Sequence, residues 1–261
     1  MTNFFIFYKL YKDDRIYNVL NGGYPMNIKE TASPQEIIKS ALEEFKDKVA
    51  IASSFSAEDV VLIDMAVKVS KDLGVTPRIF TLDTGRLNQE TYDVMDRIKE
   101  KYNIPIEVYF PKTEDVEEMV RKYGFNLFYK SLQLRQLCCK IRKVEPLNRI
   151  LKELDAWICG LRKEQSVTRA DVKKIEKEER VFNGTKKTIY KINPLVDWAE
   201  KQVWDYIKEN NVPYNTLYDR GYTSIGCAPC TRPTKKIEDI RAGRWWWEDP
   251  EHKECGLHKR T

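Results

Sequence analysis

Six cysteines stand in this chain of 261 residues, and their spacing sorts them into distinct chemical kinds. Cys138 and Cys139 are adjacent, Cys227 and Cys230 form C-A-P-C, and Cys159 and Cys255 stand alone. Two pairs separated by a long stretch can converge as four thiolates. Such a set could hold zinc, hold an iron–sulfur cluster, or remain as buried inert thiols. An adjacent pair is unusual for zinc ribbons, which space their ligands. Cys159 lies inside the apolar run "AWICG" and reads as core. Cys255 sits in "KECGLHKRT", a stretch too polar to pack. Lys253, His258, Lys259 and Arg260 would favour its thiolate, and Glu254 opposes it. It is either a reactive nucleophile or a tail cysteine without a role.

Two further stretches could hold an anion. "SSFSAED" at residues 53–59 takes a strand through a Ser-rich loop into a helix, where hydroxyl and backbone donors suit a phosphate. "LDTGR" at 82–86 offers close backbone approach at Gly85 and a guanidinium fork at Arg86. Each has a plain alternative: an ordinary helix N-cap in the first case and a simple turn in the second.

The elements that must position these residues follow from periodicity. "VAIAS", "RIFTL", "IEVYF" and "AWICG" read as strands; "AEDVVLIDMAVKVS", "NQETYDVMDRIKEKY" and "EDVEEMVRKYG" read as the helices between them. A run of βα units predicts a parallel sheet covered by helices, with ligands beyond the carboxyl ends of its strands. "CCKIRKVEPLNRILKEL" reads as a helix broken near Pro146. The "NG" between "ERVF" and "KKTIYKI" predicts a hairpin in a charged, solvated segment, and "WAEKQVWDYIKENN" an amphipathic helix. Ser33 and Pro34 mark a helix entry just after Met26. Residues 1–26 read as an extension or a misassigned start, 27–235 as the main domain, and 236–261 as an irregular C-terminal arm.

Composition narrows the class. With 42% apolar residues the chain can bury a large core, and a net charge of +5 is too mild for a nucleic-acid coat but suits a small anionic substrate. "FFIFYKLY" is too short for a membrane span and lacks a signal-peptide cleavage site, so no membrane association and a cytoplasmic location are expected.

At this point whole blocks of sequence become informative. "SSFSAEDVVLIDM", "LDTGRLNQETYD", "CCKIRKVEPL", "GLRKEQSVTRAD", "VPYNTLYDRGYTSIGCAPCT", "GRWWWED" and "KECGLHK" occur in this order. Together they resemble the assimilatory adenylyl-sulfate (APS) reductases, relatives of the phosphoadenylyl-sulfate (PAPS) reductases. The resemblance implies a Rossmann-like α/β fold of the adenine nucleotide alpha hydrolase type, with helices on both faces of the sheet. It also implies one [4Fe–4S] cluster per chain on Cys138, Cys139, Cys227 and Cys230. Cys255 becomes the nucleophile that captures the sulfonate of APS as S-sulfocysteine, from which a thioredoxin or glutaredoxin-like dithiol releases sulfite. Lys143, Arg241, Arg244 and His258 match the active-site cations. Arg86 and Arg169 would hold the phosphate or sulfate end. Ser53, Ser54, Phe55, Ala57, Glu58, Asp59, Leu82, Asp83, Gly85 and Gly160 would frame the nucleotide. No nucleic acid is expected as partner, and a homo-oligomer is.

The resemblance carries departures and alternatives. Ser56 stands where the family usually has glycine, and Cys159 where threonine is common. No thioredoxin-like domain follows, unlike plant forms, so a separate reductant is expected. Trp245, Trp246 and Trp247 are read as packing at the base of an arm that opens and closes. PAPS, or both nucleotides, is the alternative substrate. A tRNA-thiolating ATP pyrophosphatase is more distant, since "SFSAED" lacks the S-G-G-x-D-S loop such enzymes need. A non-catalytic metal-binding module on nucleic acid would leave Cys255 unexplained.

Overall fold

The computed structural model describes residues 25–26, 28–166, 169–235, 239–249 and 256–257. Residues 1–24 and the catalytic candidates Cys255 and His258 lie outside the described residues. Met26 is buried in the main core.

The first described helix, α1 (Pro34–Phe45), starts on a reciprocal cap. The Glu36 amide donates to Ser33 Oγ, and the Ser33 amide donates to the Glu36 carboxylate at 2.7 Å. Then come β1 (Val49–Ala52), α2 (Ala57–Leu73), β2 (Arg78–Leu82), α3 (Gln89–Tyr102), β3 (Glu107–Tyr109) and α4 (Thr113–Tyr123). The sheet has the order β3-β2-β1-β4-β6-β5, with β4 at Ala156–Ile158, β5 at Ile175–Phe182 and β6 at Thr185–Ile192. Every pairing is parallel except β5 with β6, which form the expected hairpin. Asn183 and Gly184 turn it with φ of 50° and 81°, the signs a two-residue hairpin loop requires. The strand order reverses between β1 and β4. This is the point of an open α/β sheet where a crevice forms.

Alternation along the short central strands feeds two cores. Val49, Ile51, Ile79, Ala156 and Ile158 face one side, against α1, α2, α3 and α7 (Glu200–Glu209). Ala50, Phe80 and Trp157 face the other, against Leu147, Ile150 and Leu151. Burial on both faces makes these strands read as continuous apolar runs.

The helix bearing the paired cysteines departs from expectation. It runs as α5 (Leu132–Cys139), a π turn (Lys140–Val144) and α6 (Glu145–Leu151), so the irregularity lies before Pro146 rather than at it. The Glu145 amide donates to the Lys140 carbonyl across the wide turn. Pro146 offers no amide to the carbonyl four residues earlier, so the preceding turn widens while proline fits the first turn of α6. Residues 239–249 pack onto the body through Trp245, which is buried among Met119, Phe128, Cys139 and Cys230.

Candidate active site

A cleft of about 210 Å³ opens at the carboxyl ends of β1, β2 and β4, at the point of strand reversal. Of the sequence-predicted residues, Ser53, Ser54, Ala57, Glu58, Asp59, Leu82, Gly160, Arg169, Lys143, Arg241 and Arg244 line it. Its apolar wall is Phe80, Leu147, Trp157, Cys159 and Leu161. Four cations, Lys143, Arg169, Arg241 and Arg244, and two carboxylates, Glu58 and Asp59, are thus among its lining.

The loop after β1 does not present its donors as expected. The Ser54 amide and hydroxyl donate to Asp59 Oδ2 at 2.7 and 2.8 Å, and the Ser56 amide approaches the same oxygen at 3.4 Å. The Ala57 amide donates to the Tyr218 hydroxyl at 3.0 Å. Asp59 and Tyr218 thus accept from the donors that an anion would use, and the loop is a helix N-cap. Ser56 adopts ordinary extended backbone as N-cap of α2, so glycine is not required there. The left-handed residue is Phe55, at φ 58° with its side chain in the core and its amide donating to Ser53 Oγ. Gly160, by contrast, must be glycine. A Cβ there would stand 2.7 Å from Asp59 Oδ1 and 2.8 Å from Glu58 Cβ, closing the seam between β4 and α2.

Burial is the largest influence on Asp59 and pushes it up to about 6, against the lowering effect of the Ser54 and Ser56 donors. The folded carboxyl therefore holds its proton more tightly than the unfolded one. Its contribution favours the fold below about pH 4 and is lost as pH rises through about 6. Asp59→Asn removes this linkage. Urea unfolding should show the variant gaining on the wild type by roughly 3 kcal/mol between pH 4 and pH 7. A difference that stays flat across that range would contradict the burial assignment.

Several predicted residues lie elsewhere. Phe55 faces the core, and Asp83 closes the turn after β2, accepting from the Gly85 amide at 2.7 Å and the Tyr92 hydroxyl at 3.0 Å. Gly85 supports that turn at φ 68°. Arg86 donates to the Phe125 carbonyl and Asn126 Oδ1 and stacks on Phe128. It lines a second, smaller cavity instead of the cleft.

That second cavity is where Cys138, Cys139, Cys227 and Cys230 meet, with Arg86, Arg135, Arg142, Lys143, Arg244 and Trp245 around them. Cys227 and Cys230 flank a short 3₁₀ turn containing Pro229. Among the described residues no group of three His, Cys, Asp or Glu side chains is arranged to hold a single metal ion. The thiols share a cavity without converging on one point. Burial pushes Cys230 up to about 12, with Cys227 and Cys139 adding to it. Cys227 differs: burial would raise it, but Lys143, Thr84, Arg244 and Arg142 outweigh burial and lower it. The Thr84 hydroxyl lies 3.2 Å from its sulfur. Two buried donors in the cavity wall, Arg244 Nε and Trp245 Nε1, have no hydrogen-bond partner. Four thiols, surrounding cations and orphaned donors fit an anionic, thiolate-held group larger than one ion. Cys159 is remote from this set, and burial pushes its thiol far above the usual range.

Lys143, Arg244 and Trp245 line both cavities, so cleft and thiol site share a wall. Sequence reading missed the residues that complete it. Arg162 is buried, donates to Glu58 at 2.9 Å and fixes that carboxylate. Arg142 bonds the Thr84 carbonyl at 2.5 Å and ties the π turn to the turn after β2. Gly226 leaves room for the Arg244 guanidinium, which would lie 2.4 Å from a Cβ at that position. Only the cluster of basic residues in "KIRKV" hints at any of this in the sequence.

Residues 48–233 match the phosphoadenosine phosphosulfate reductase domain. The chain is 47% identical to an adenosine 5'-phosphosulfate reductase of Burkholderia cepacia, over 87% of its length and 86% of that protein's. It is 46% identical to the enzyme of the same name from Allochromatium vinosum, over 88% and 85%. Among solved structures, a phosphoadenylyl-sulfate reductase from Candida auris in a phosphate complex aligns with a TM-score of 0.64 and 30% identity. That alignment covers 80% of this chain and all of that one. The matched span holds the strand reversal between β1 and β4 and both cysteine pairs, and the chain belongs to the phosphoadenosine phosphosulfate reductase domain family.

Proposed function

We propose that this protein reduces adenylyl sulfate to sulfite and AMP in assimilatory sulfate reduction. One observation carries the reading: a nucleotide-sized cleft whose cations Lys143 and Arg244 also line a four-thiol cavity. The relatives named adenosine 5'-phosphosulfate reductase support the choice of substrate.

Attack by an anion on a doubly charged phosphosulfate is repulsive, so fixed cations must neutralise both the substrate and the charge that develops on the departing phosphate. Lys143, Arg241, Arg244 and Arg169 line the cleft and serve that purpose. Adenosine lies toward Ser53, Ser54, Leu82 and Gly160, with Glu58 and Asp59 beside the ribose. The Cys255 thiolate attacks the sulfate sulfur, a sulfur–sulfur bond forms, the sulfur–oxygen bond to phosphate breaks, and AMP leaves with that electron pair. His258 adds positive charge beside the thiolate. A thioredoxin-type dithiol then attacks the Cys255 sulfur, is oxidised to its disulfide, and expels sulfite. Cys138, Cys139, Cys227 and Cys230 would hold one [4Fe–4S] cluster, which supplies fixed charge and local order beside Lys143.

The test is anaerobic purification followed by sulfite release from APS and from PAPS with thioredoxin present. Release from APS, lost on truncation after Glu254 while AMP binding persists, supports the proposal. Equal turnover of PAPS reassigns the substrate, and release from neither overturns the reading.

A further inference from the structure

Trp245 occupies a backbone conformation that a bulky residue rarely adopts, with φ of 39°. Such strain persists only where surrounding contacts over-determine it. Those contacts are visible. Two guanidiniums, Arg135 and Arg244, each lie over the Trp245 indole 4.7 Å from its ring centre. Its amide donates to the Cys230 carbonyl at 3.1 Å, and the Glu248 amide donates to the Trp245 carbonyl at 2.8 Å. Glu248 then turns back onto Arg135: Nε donates to Oε1 at 2.9 Å and Nη2 to Oε2 at 2.6 Å. The pair is almost fully enclosed, with side-chain exposures of 1% and 7%. Arg135 also bonds Cys139, so one guanidinium joins the thiol-bearing helix to the chain that leads into the arm.

We infer that Arg135 and Glu248 are positioning residues: their buried ion pair holds the strained turn at Trp245 and so aims Arg244 into the cleft. Breaking a buried pair from one side is costly, and the held geometry is what relaxes. Arg244 immediately precedes Trp245. Its Nη1 donates to the Ile225 carbonyl at 3.2 Å, and its guanidinium fills the space left by Gly226, so a small rotation at Trp245 withdraws it. Neither Arg135 nor Glu248 lines the substrate cleft. The inference rests on the cleft being the nucleotide site, and the substrate groups affected are those that carry charge.

Glu248→Ala and the milder Glu248→Gln test it with two readouts. Hydrogen exchange of the amides of residues 241–249, measured without ligand in the iron-loaded protein, should accelerate at least about tenfold in Glu248→Ala and less in Glu248→Gln. AMP affinity should fall at least about tenfold in Glu248→Ala while adenosine affinity stays at the wild-type value, since only AMP presents an anion to Arg244. Parallel loss of AMP and adenosine, an unchanged ratio between them, or wild-type exchange in Glu248→Ala overturns the positioning role. If the wild type binds neither AMP nor adenosine, the nucleotide reading fails, and the exchange experiment still decides whether the ion pair holds the turn.

Discussion

Cys255→Ser is expected to lower kcat for sulfite formation by at least about 10⁴-fold, leaving no labelled sulfonate on the protein after exposure to labelled adenylyl sulfate. Two steps fail together. A serine hydroxyl is essentially un-ionised at neutral pH, whereas a cysteine thiol ionises far more readily, and Lys253, His258, Lys259 and Arg260 in the same stretch would favour its thiolate against Glu254. Even a serine that captured the sulfonate would hold it through oxygen, and a dithiol needs a sulfur–sulfur bond to exchange. Iron content and AMP affinity should match the wild type. A Cys255→Ser enzyme that still traps sulfonate and turns over normally would remove the basis of the proposed reaction.

Cys227→Ala should give colourless, iron-poor protein with activity reduced at least about 10²-fold. The surroundings of Cys227 favour its ionisation in spite of burial, through Lys143, Thr84, Arg244 and Arg142. Losing its sulfur removes the thiolate that Lys143, Arg244 and Arg142 favour, and Lys143 and Arg244 also line the cleft. Adenosine, which carries no phosphate for these cations to hold, should still bind. Cys159→Ala is the matched control, because that thiol lies in the apolar wall and its loss should leave the iron content unchanged. Full iron and full turnover in Cys227→Ala would disprove the four-thiol assignment.

The central strands, the Asn183–Gly184 hairpin and the Ser33 cap were legible in the sequence because each depends on neighbours only a few positions away. The cysteine pairs were legible as a set for a different reason: thiols in two tight pairs have few other uses. What escaped were contacts over long separations. Arg135 and Glu248 are 113 positions apart, and nothing in "LQLRQL" marks the arginine as buried. In sequence the serine loop reads equally as a cradle or as a helix N-cap, and the return of Asp59 onto its donors, which decides between them, depends on how α2 is set against β4 at Gly160. Arg86 showed its charge but not its direction, which the turn at Gly85 and the carbonyl of Phe125 impose. Pro146 announced an irregularity, and the backbone placed it one turn earlier.

The π turn at Lys140–Val144 has a bearing on how this protein can change. A π turn is equivalent to one extra residue slipped into a regular helix, and each residue of an α-helix advances about 100° around its axis. The thiols before the turn and Leu147 after it are therefore out of phase, and that offset lets one rod address two chambers. Deleting a single position there would restore a smooth helix of nearly identical composition, yet swing the downstream face away from the nucleotide. Length between "CC" and "EPL" is thus more tightly constrained than the identity of most side chains along it.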